Sequence, residues 1–110
     1  MQYEVINKGQ CTVFQLNEER FDAKLAPVFR KEVEQMLDKI EPNLVLDLSN
    51  VRFMDSSGLG AVMSIYKMLK GKKISVVNPQ RAVRELLKLT RMDKLIASYD
   101  SVEDAVAMMA

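Results

Sequence analysis

A chain of 110 residues is the size of one compact domain. With 48% hydrophobic and 28% charged residues it has the composition of a folded globular protein, which excludes a disordered chain. Lys and Arg number 16 and Asp and Glu 15, so the net charge of +1 offers neither the basic excess of a nucleic-acid binder nor an acidic tail for a basic partner.

Residues 1–7 and 10–16 read as two short strands joined by a turn at Lys8-Gly9. Cys11 is the single cysteine, so no intrachain disulfide can form, and beside Thr12, Val13 and Phe14 it reads as a small buried hydrophobe. No apolar run in residues 1–20 is long enough for a signal peptide, and none approaches a membrane span, so a cytoplasmic chain is expected. A helix follows, with Leu25, Val28, Phe29, Val33, Met36, Leu37 and Ile40 at helical spacing on one face. Pro27 falls in its first turn, where a missing N–H costs little, and Glu41-Pro42-Asn43 ends it.

Leu44-Val45-Leu46-Asp47-Leu48 is almost continuously apolar, the pattern of a central strand buried on both faces. Residues 49–57 read as a loop. A second helix is expected over about 58–70, with Leu59, Val62, Met63, Tyr66 and Leu69 inward and Gly71 ending it. Ile74-Ser75-Val76-Val77 is a further strand. Asn78-Pro79 then supplies an N-cap and a first-turn proline for a third helix that turns Val83, Leu86, Leu87 and Thr90 inward. A short strand near Leu95-Ile96-Ala97 precedes a last helix opened by Ser101-Val102-Glu103-Asp104, with Asp104 at the acidic position of a capping box. The methionines at 36, 63 and 68 read as core fillers. This order predicts an α/β domain with a mostly parallel sheet and right-handed crossovers.

No histidine is present, which removes Ser-His-Asp and Cys-His catalysis and any His-ligated metal. The informative stretch is Leu46 to Val62. Asp55 and Ser56 sit where the loop meets the second helix, and the backbone N–H groups of residues 57–59 are expected to be unpaired there. The helix dipole adds partial positive charge, and Gly58 and Gly60 remove two side chains, so a phosphate group has room to approach. A plainer reading stands beside this one: Ser56 is an N-cap and the glycines only permit close packing on the sheet.

The run Asp47-Leu48-Ser49-Asn50-Val51-Arg52-Phe53-Met54-Asp55-Ser56-Ser57-Gly58-Leu59-Gly60 resembles the signature of the anti-sigma factor antagonists, which consist of a single STAS domain. Asp22-Ala23, the segment Leu86 to Leu95, and Ser101-Val102-Glu103-Asp104-Ala105 extend the resemblance over nearly the whole chain. It implies a mostly parallel mixed sheet of about five strands packed with about four α-helices. It also implies that the unphosphorylated form binds an anti-sigma factor with serine kinase activity and so releases a sigma factor. Phosphorylation of Ser56 would switch this binding off, and a metal-dependent serine phosphatase would restore it. Asp22, Asp55, Ser57 and Gly58 would form the partner surface with Ser56. The resemblance implies no catalytic residue, no metal and no cofactor, and no membrane insertion. Asn17-Glu18-Glu19-Arg20-Phe21 departs from the family in lacking the usual glycine before the Leu-Asp-Ala segment, which makes the loop beside the serine more acidic and stiffer.

Other readings fit less well. A STAS subunit of a lipid-transporting ATPase usually resembles Asp-Thr-x-Gly at the switch, where this chain has Asp55-Ser56-Ser57-Gly58. A response-regulator receiver needs an acidic pair after its first strand, and here that strand ends at Asn7-Lys8. A dinucleotide site lacks its third glycine, since position 63 is Met, and Gly71-Lys72 ends a helix instead of forming a Walker motif. A Gly-x-Ser-x-Gly esterase is excluded by the spacing and the missing histidine.

Overall fold

The computed structural model describes residues 1–40 and 42–109. Two short runs rich in β-branched and aromatic residues form an antiparallel hairpin, β1 (Tyr3–Lys8) and β2 (Cys11–Leu16). Its two-residue turn places Gly9 at φ 59°, a conformation that glycine adopts without a Cβ penalty. β4 (Asn43–Asp47) lies parallel to β2, β6 (Lys73–Val77) parallel to β4, and β7 (Ala97–Tyr99) parallel to β6. The sheet order is therefore β1-β2-β4-β6-β7, and β4 occupies the centre.

All five residues of β4 are buried, the polar Asn43 and Asp47 included, as a strand covered on both faces requires. Leu44 and Leu46 join the larger core with Phe29 and Val33 of α1 (Ala26–Gln35), Val62 and Ile65 of α2 (Ser56–Met68) and Val83 and Leu87 of α3 (Arg81–Leu89). On the opposite face Val45 packs with Cys11, Val13 and Val77 beneath Ala105 and Met109 of α4 (Val102–Met109). Three phenylalanines tie the larger core together. Phe14 meets Phe29 edge-on at 5.4 Å between centroids, and Phe29 meets Phe21 at 4.8 Å. Phe21 belongs to β3 (Arg20–Phe21), which pairs in parallel with β5 (Phe53–Met54) as a separate two-stranded sheet. The buried ring of Phe21 thus anchors, near the start of α2, a segment with little secondary structure of its own.

Several local expectations are corrected. α1 ends at Gln35 and passes into a 3-10 turn at Leu37–Lys39; of the stop signal, residue 41 lies outside the described residues. Val28 is exposed, because Ala26, Phe29 and Val33 form the buried face. The loop expected over 49–57 contains β5, and α2 starts at Ser56, two residues early. Its deepest residues are Gly58, Ala61, Val62 and Ile65, with Leu59, Met63 and Tyr66 at the margin. Asn78 is not a cap. Its N–H donates to the Tyr99 carbonyl at 2.8 Å while its backbone bends to φ 50°, so α3 begins after Gln80. Thr90 is exposed, and its hydroxyl donates back to the Leu86 carbonyl. The seventh strand falls at 97–99, with Ile96 buried and Leu95 outside.

Candidate functional site

Where β4 ends, the chain leaves the sheet in a braced loop. The Asp47 carboxylate accepts from the Ser49 N–H at 3.0 Å, and Leu48 donates to the Val77 carbonyl at 3.2 Å. Val51 is fully buried and holds the loop down. The N–H groups of Arg52 and Phe53 both donate to the Glu19 carbonyl, at 2.8 and 3.1 Å, and lead into the pairing of β5 with β3. Asp55 then donates its N–H to the Phe21 carbonyl at 3.3 Å. Two segments 30 or more residues apart in sequence, one ending in Asp22 and the other in Asp55, are thereby brought side by side at the start of α2.

Asp55 is the N-cap of α2. One of its carboxylate oxygens accepts from Ser57 N–H at 2.9 Å and from Gly58 N–H at 3.1 Å, and its carbonyl accepts from Leu59 N–H at 3.1 Å. The N–H groups of residues 57–59 are therefore all paired, contrary to the expectation of an open anion cradle. The negative charge that a helix N-terminus favours is already supplied by Asp55. Ser56 is consequently not the N-cap. It occupies the first helical position, is exposed, and takes no part in the capping hydrogen bonds.

Ser57, one position on, is half-buried and lines a 390 Å³ groove between α1 and α2 with Ala26, Pro27, Arg30, Gly60 and Ser64. The two glycines of the motif differ. A Cβ at Gly58 would run into the Phe21 carbonyl oxygen and crowd Met54 Cγ and Phe21 Cδ1, both at 3.0 Å, whereas a Cβ at Gly60 would meet open space. Gly58 is what lets α2 sit against β3, and Gly60 has no such duty.

Asp22 begins the turn into α1. One carboxylate oxygen accepts from Lys24 N–H at 3.1 Å and Leu25 N–H at 3.3 Å, and the other lies 3.4 Å from Arg20 Nε. Partial desolvation pushes its pKa upward, but the Leu25 and Lys24 N–H groups and the Arg20 guanidinium together outweigh this and hold it below the usual carboxylate value. The acidic loop before it is partly spoken for. Glu18 accepts from the Gln2 N–H at 2.6 Å, and Glu19 lies 3.8 Å from Arg52, an exposed pair that adds little.

Arg20 and Phe53 join the site without having been singled out from the sequence. The Arg20 guanidinium lies 4.4 Å from the centroid of the Phe53 ring, which is 39% exposed. Strands of two residues show no alternation that would have flagged them. Among the described residues no group of three or more Asp, Glu, His or Cys side chains could hold a metal ion, and no helix is long and apolar enough to cross a membrane. The arrangement places an exposed serine at the first position of α2, directly after the capping carboxylate of Asp55.

Residues 2–105 match the STAS domain family. The anti-sigma F factor antagonist of Paenibacillus polymyxa is 30% identical over 88 residues, which span 77% of this chain and 75% of that protein. An anti-sigma factor antagonist from Mycobacterium paratuberculosis has the same fold with a TM-score of 0.88 and 28% identity, over 98% of this chain and 92% of the other. The phosphorylated form of a Bacillus cell fate determinant shares the fold at 16% identity, with a TM-score of 0.75 over 99% of this chain and 100% of that chain.

Proposed function

This chain belongs to the STAS domain family, and on that premise we propose that it is a cytoplasmic anti-sigma factor antagonist whose switch is Ser56. The unphosphorylated form binds an anti-sigma factor that is also a serine kinase, and this releases a sigma factor. The kinase supplies ATP and the catalytic groups; this chain is its substrate, has no enzymatic activity of its own and needs no cofactor. A metal-dependent serine phosphatase reverses the modification. The chain makes no direct contact with nucleic acid.

The observation that carries this reading is that Asp55 caps α2 and leaves the adjacent Ser56 exposed at its first position. Ser57 is half-buried against α1 and is a poorer phosphoacceptor. Asp22, Asp55, Ser57 and Gly58 shape the surface that the partner meets, and the Arg20–Phe53 pair borders it.

Because Asp55 already holds the N–H groups of Ser57, Gly58 and Leu59, a phosphate on Ser56 gains little from the helix terminus. It carries about −1.5 to −2 charge at pH 7. Its repulsion from a unit negative charge on Asp55 is about 1.5–2 kcal/mol at a separation of about 4 Å in water. The phosphorylated protein therefore keeps its fold, and the dianion projects to where the partner accepts a neutral hydroxyl. Such a mismatch costs several kcal/mol at an interface, at least about a hundredfold in affinity.

The test is capture of the partner from the source cell, followed by incubation with ATP and mapping of the phosphate by mass spectrometry. One phosphate on Ser56 and loss of partner binding are expected. Modification mainly at Ser57 or Thr90, or undiminished binding by the phosphorylated form, would refute the assignment. Amide NMR spectra of the two forms should differ around residues 49–58; large shifts across β4 and β6 would show a global rearrangement instead of local blocking.

A further inference from the structure

The open edge of the five-stranded sheet carries a surface that the site around Ser56 does not use. β1 is the outermost strand, six residues long, and among the described residues only β2 pairs with it. Glu4 to Lys8 are all exposed, Val5 at 40% and Ile6 at 48%. A groove opens on each face: one of 200 Å³ beside Glu4, Ile6 and Lys8, and one of 590 Å³ beside Tyr3, Val5 and Asn7. An edge of this length, with two large apolar side chains exposed, is a template for another strand.

The backbone decides which residues can do the pairing. Asn17 N–H donates to the Gln2 carbonyl at 2.9 Å, one step beyond the Tyr3–Leu16 pair of the hairpin. Antiparallel ladders alternate, so Glu4, Ile6 and Lys8 turn their backbone groups towards β2, and Tyr3, Val5 and Asn7 turn theirs outward.

We propose that β1 pairs antiparallel with β1 of a second copy about a two-fold axis at Ile6, joining the two sheets into one. Glu4 of each copy then lies opposite Lys8 of the other, and the two Ile6 side chains meet at the centre, all on the face that carries α4. These are the non-hydrogen-bonded positions, where side chains across the ladder come closest, while Val5 and Asn7 exchange the backbone hydrogen bonds. Opposed residues in a continued sheet share a face, so the axis must pass through a residue. Through Val5, Glu4 would face Ile6; through Asn7, Ile6 would face Lys8. Charge complementarity selects Ile6. The occupant of the edge is therefore a second copy of this chain, in a small and readily reversible interface.

Sedimentation of the full chain from micromolar to millimolar concentration tests this, together with charge reversal and cross-linking. A monomer–dimer equilibrium is expected. Glu4→Lys and Lys8→Glu alone each set like charges opposite one another twice per dimer, weakening association about tenfold or more, and the double variant restores it. Ile6→Cys should form a disulfide-linked dimer on mild oxidation, because opposed Cα atoms at such a position lie about 4.5 Å apart, within disulfide reach. In Val5→Cys the two thiols are offset along the strands by two residues, about 7 Å, and should link far less. Wild type, with only the buried Cys11, is the blank. A monomer at every concentration with no Ile6→Cys link would overturn the proposal. So would a dimer indifferent to the single reversals, or Val5→Cys linking as readily as Ile6→Cys.

Discussion

Ser56 and Ser101 both stand at the start of a helix, and they are used in opposite ways. At α4 the Ser101 hydroxyl oxygen accepts from the Asp104 N–H at 3.0 Å, so that serine is consumed in capping. At α2 the preceding Asp55 does the capping, and Ser56 is left exposed. A hydroxyl at a helix start is free for chemistry when a neighbour has already satisfied the first turn. At α2 that neighbour is fixed from outside the helix, because Asp55 N–H is held by the Phe21 carbonyl and Gly58 lets α2 lie against the same residue.

The comparison is broken most severely at Gly58. Gly58→Ala forces a methyl group against a backbone carbonyl that is itself fixed in the β3–β5 pairing, so a loss of about 1–3 kcal/mol or more is expected in urea unfolding. Gly60→Ala, facing open space in the same helix, should be neutral or should gain up to about 1 kcal/mol. Equal costs at the two glycines would show that β3 does not constrain α2.

Next is the cap itself. Asp55→Ala should cost about 0.5–2 kcal/mol, and Asp55→Asn, which retains an acceptor oxygen, should recover most of it. Ser101→Ala should cost about 0.5–1 kcal/mol in the same unfolding assay.

A smaller effect is expected at Asp22 and only through pH. Its folded pKa is held below the unfolded value of about 3.9, so its contribution is present above that value and lost as pH falls through the folded pKa. Wild type should be more stable than Asp22→Asn at pH 7, and the difference should close below about pH 4. A gap that is the same at pH 7 and pH 3 would mean that the carboxylate charge has no part in it.

The smallest effect belongs to Ser56. Ser56→Ala should change stability by less than about 0.5 kcal/mol, since an exposed group outside the cap is removed, while partner binding persists and can no longer be switched off. A cost as large as that of Asp55→Ala would identify Ser56 as a capping residue after all.

Much of the fold was legible because periodicity reports burial. The nearly continuous apolar run of Leu44 to Leu48 announced a strand covered on both faces, and Phe29 and Val33 announced the inner face of α1. The same logic misplaced Val28, which lies close to the apolar stripe yet is exposed. The long motif around Asp55-Ser56-Ser57-Gly58 marked the region of the site, and its resemblance supplied the family. Arg20 and Phe53 escaped notice because β3 and β5 have two residues each, too short to carry a period.

The sequence by itself determined the order of the five main-sheet strands and the four α-helices, the central position of Leu44–Asp47 and the place of the serine motif at a strand–loop–helix junction. These follow from local pattern, which needs no knowledge of what lies across the fold. Only the tertiary structure decided which residue caps α2, which glycine of the pair is indispensable and which edge of the sheet lies open. Each of those depends on contacts between segments distant in the chain: Phe21 with Asp55 and Gly58, and β1 with β2 on one side and solvent on the other.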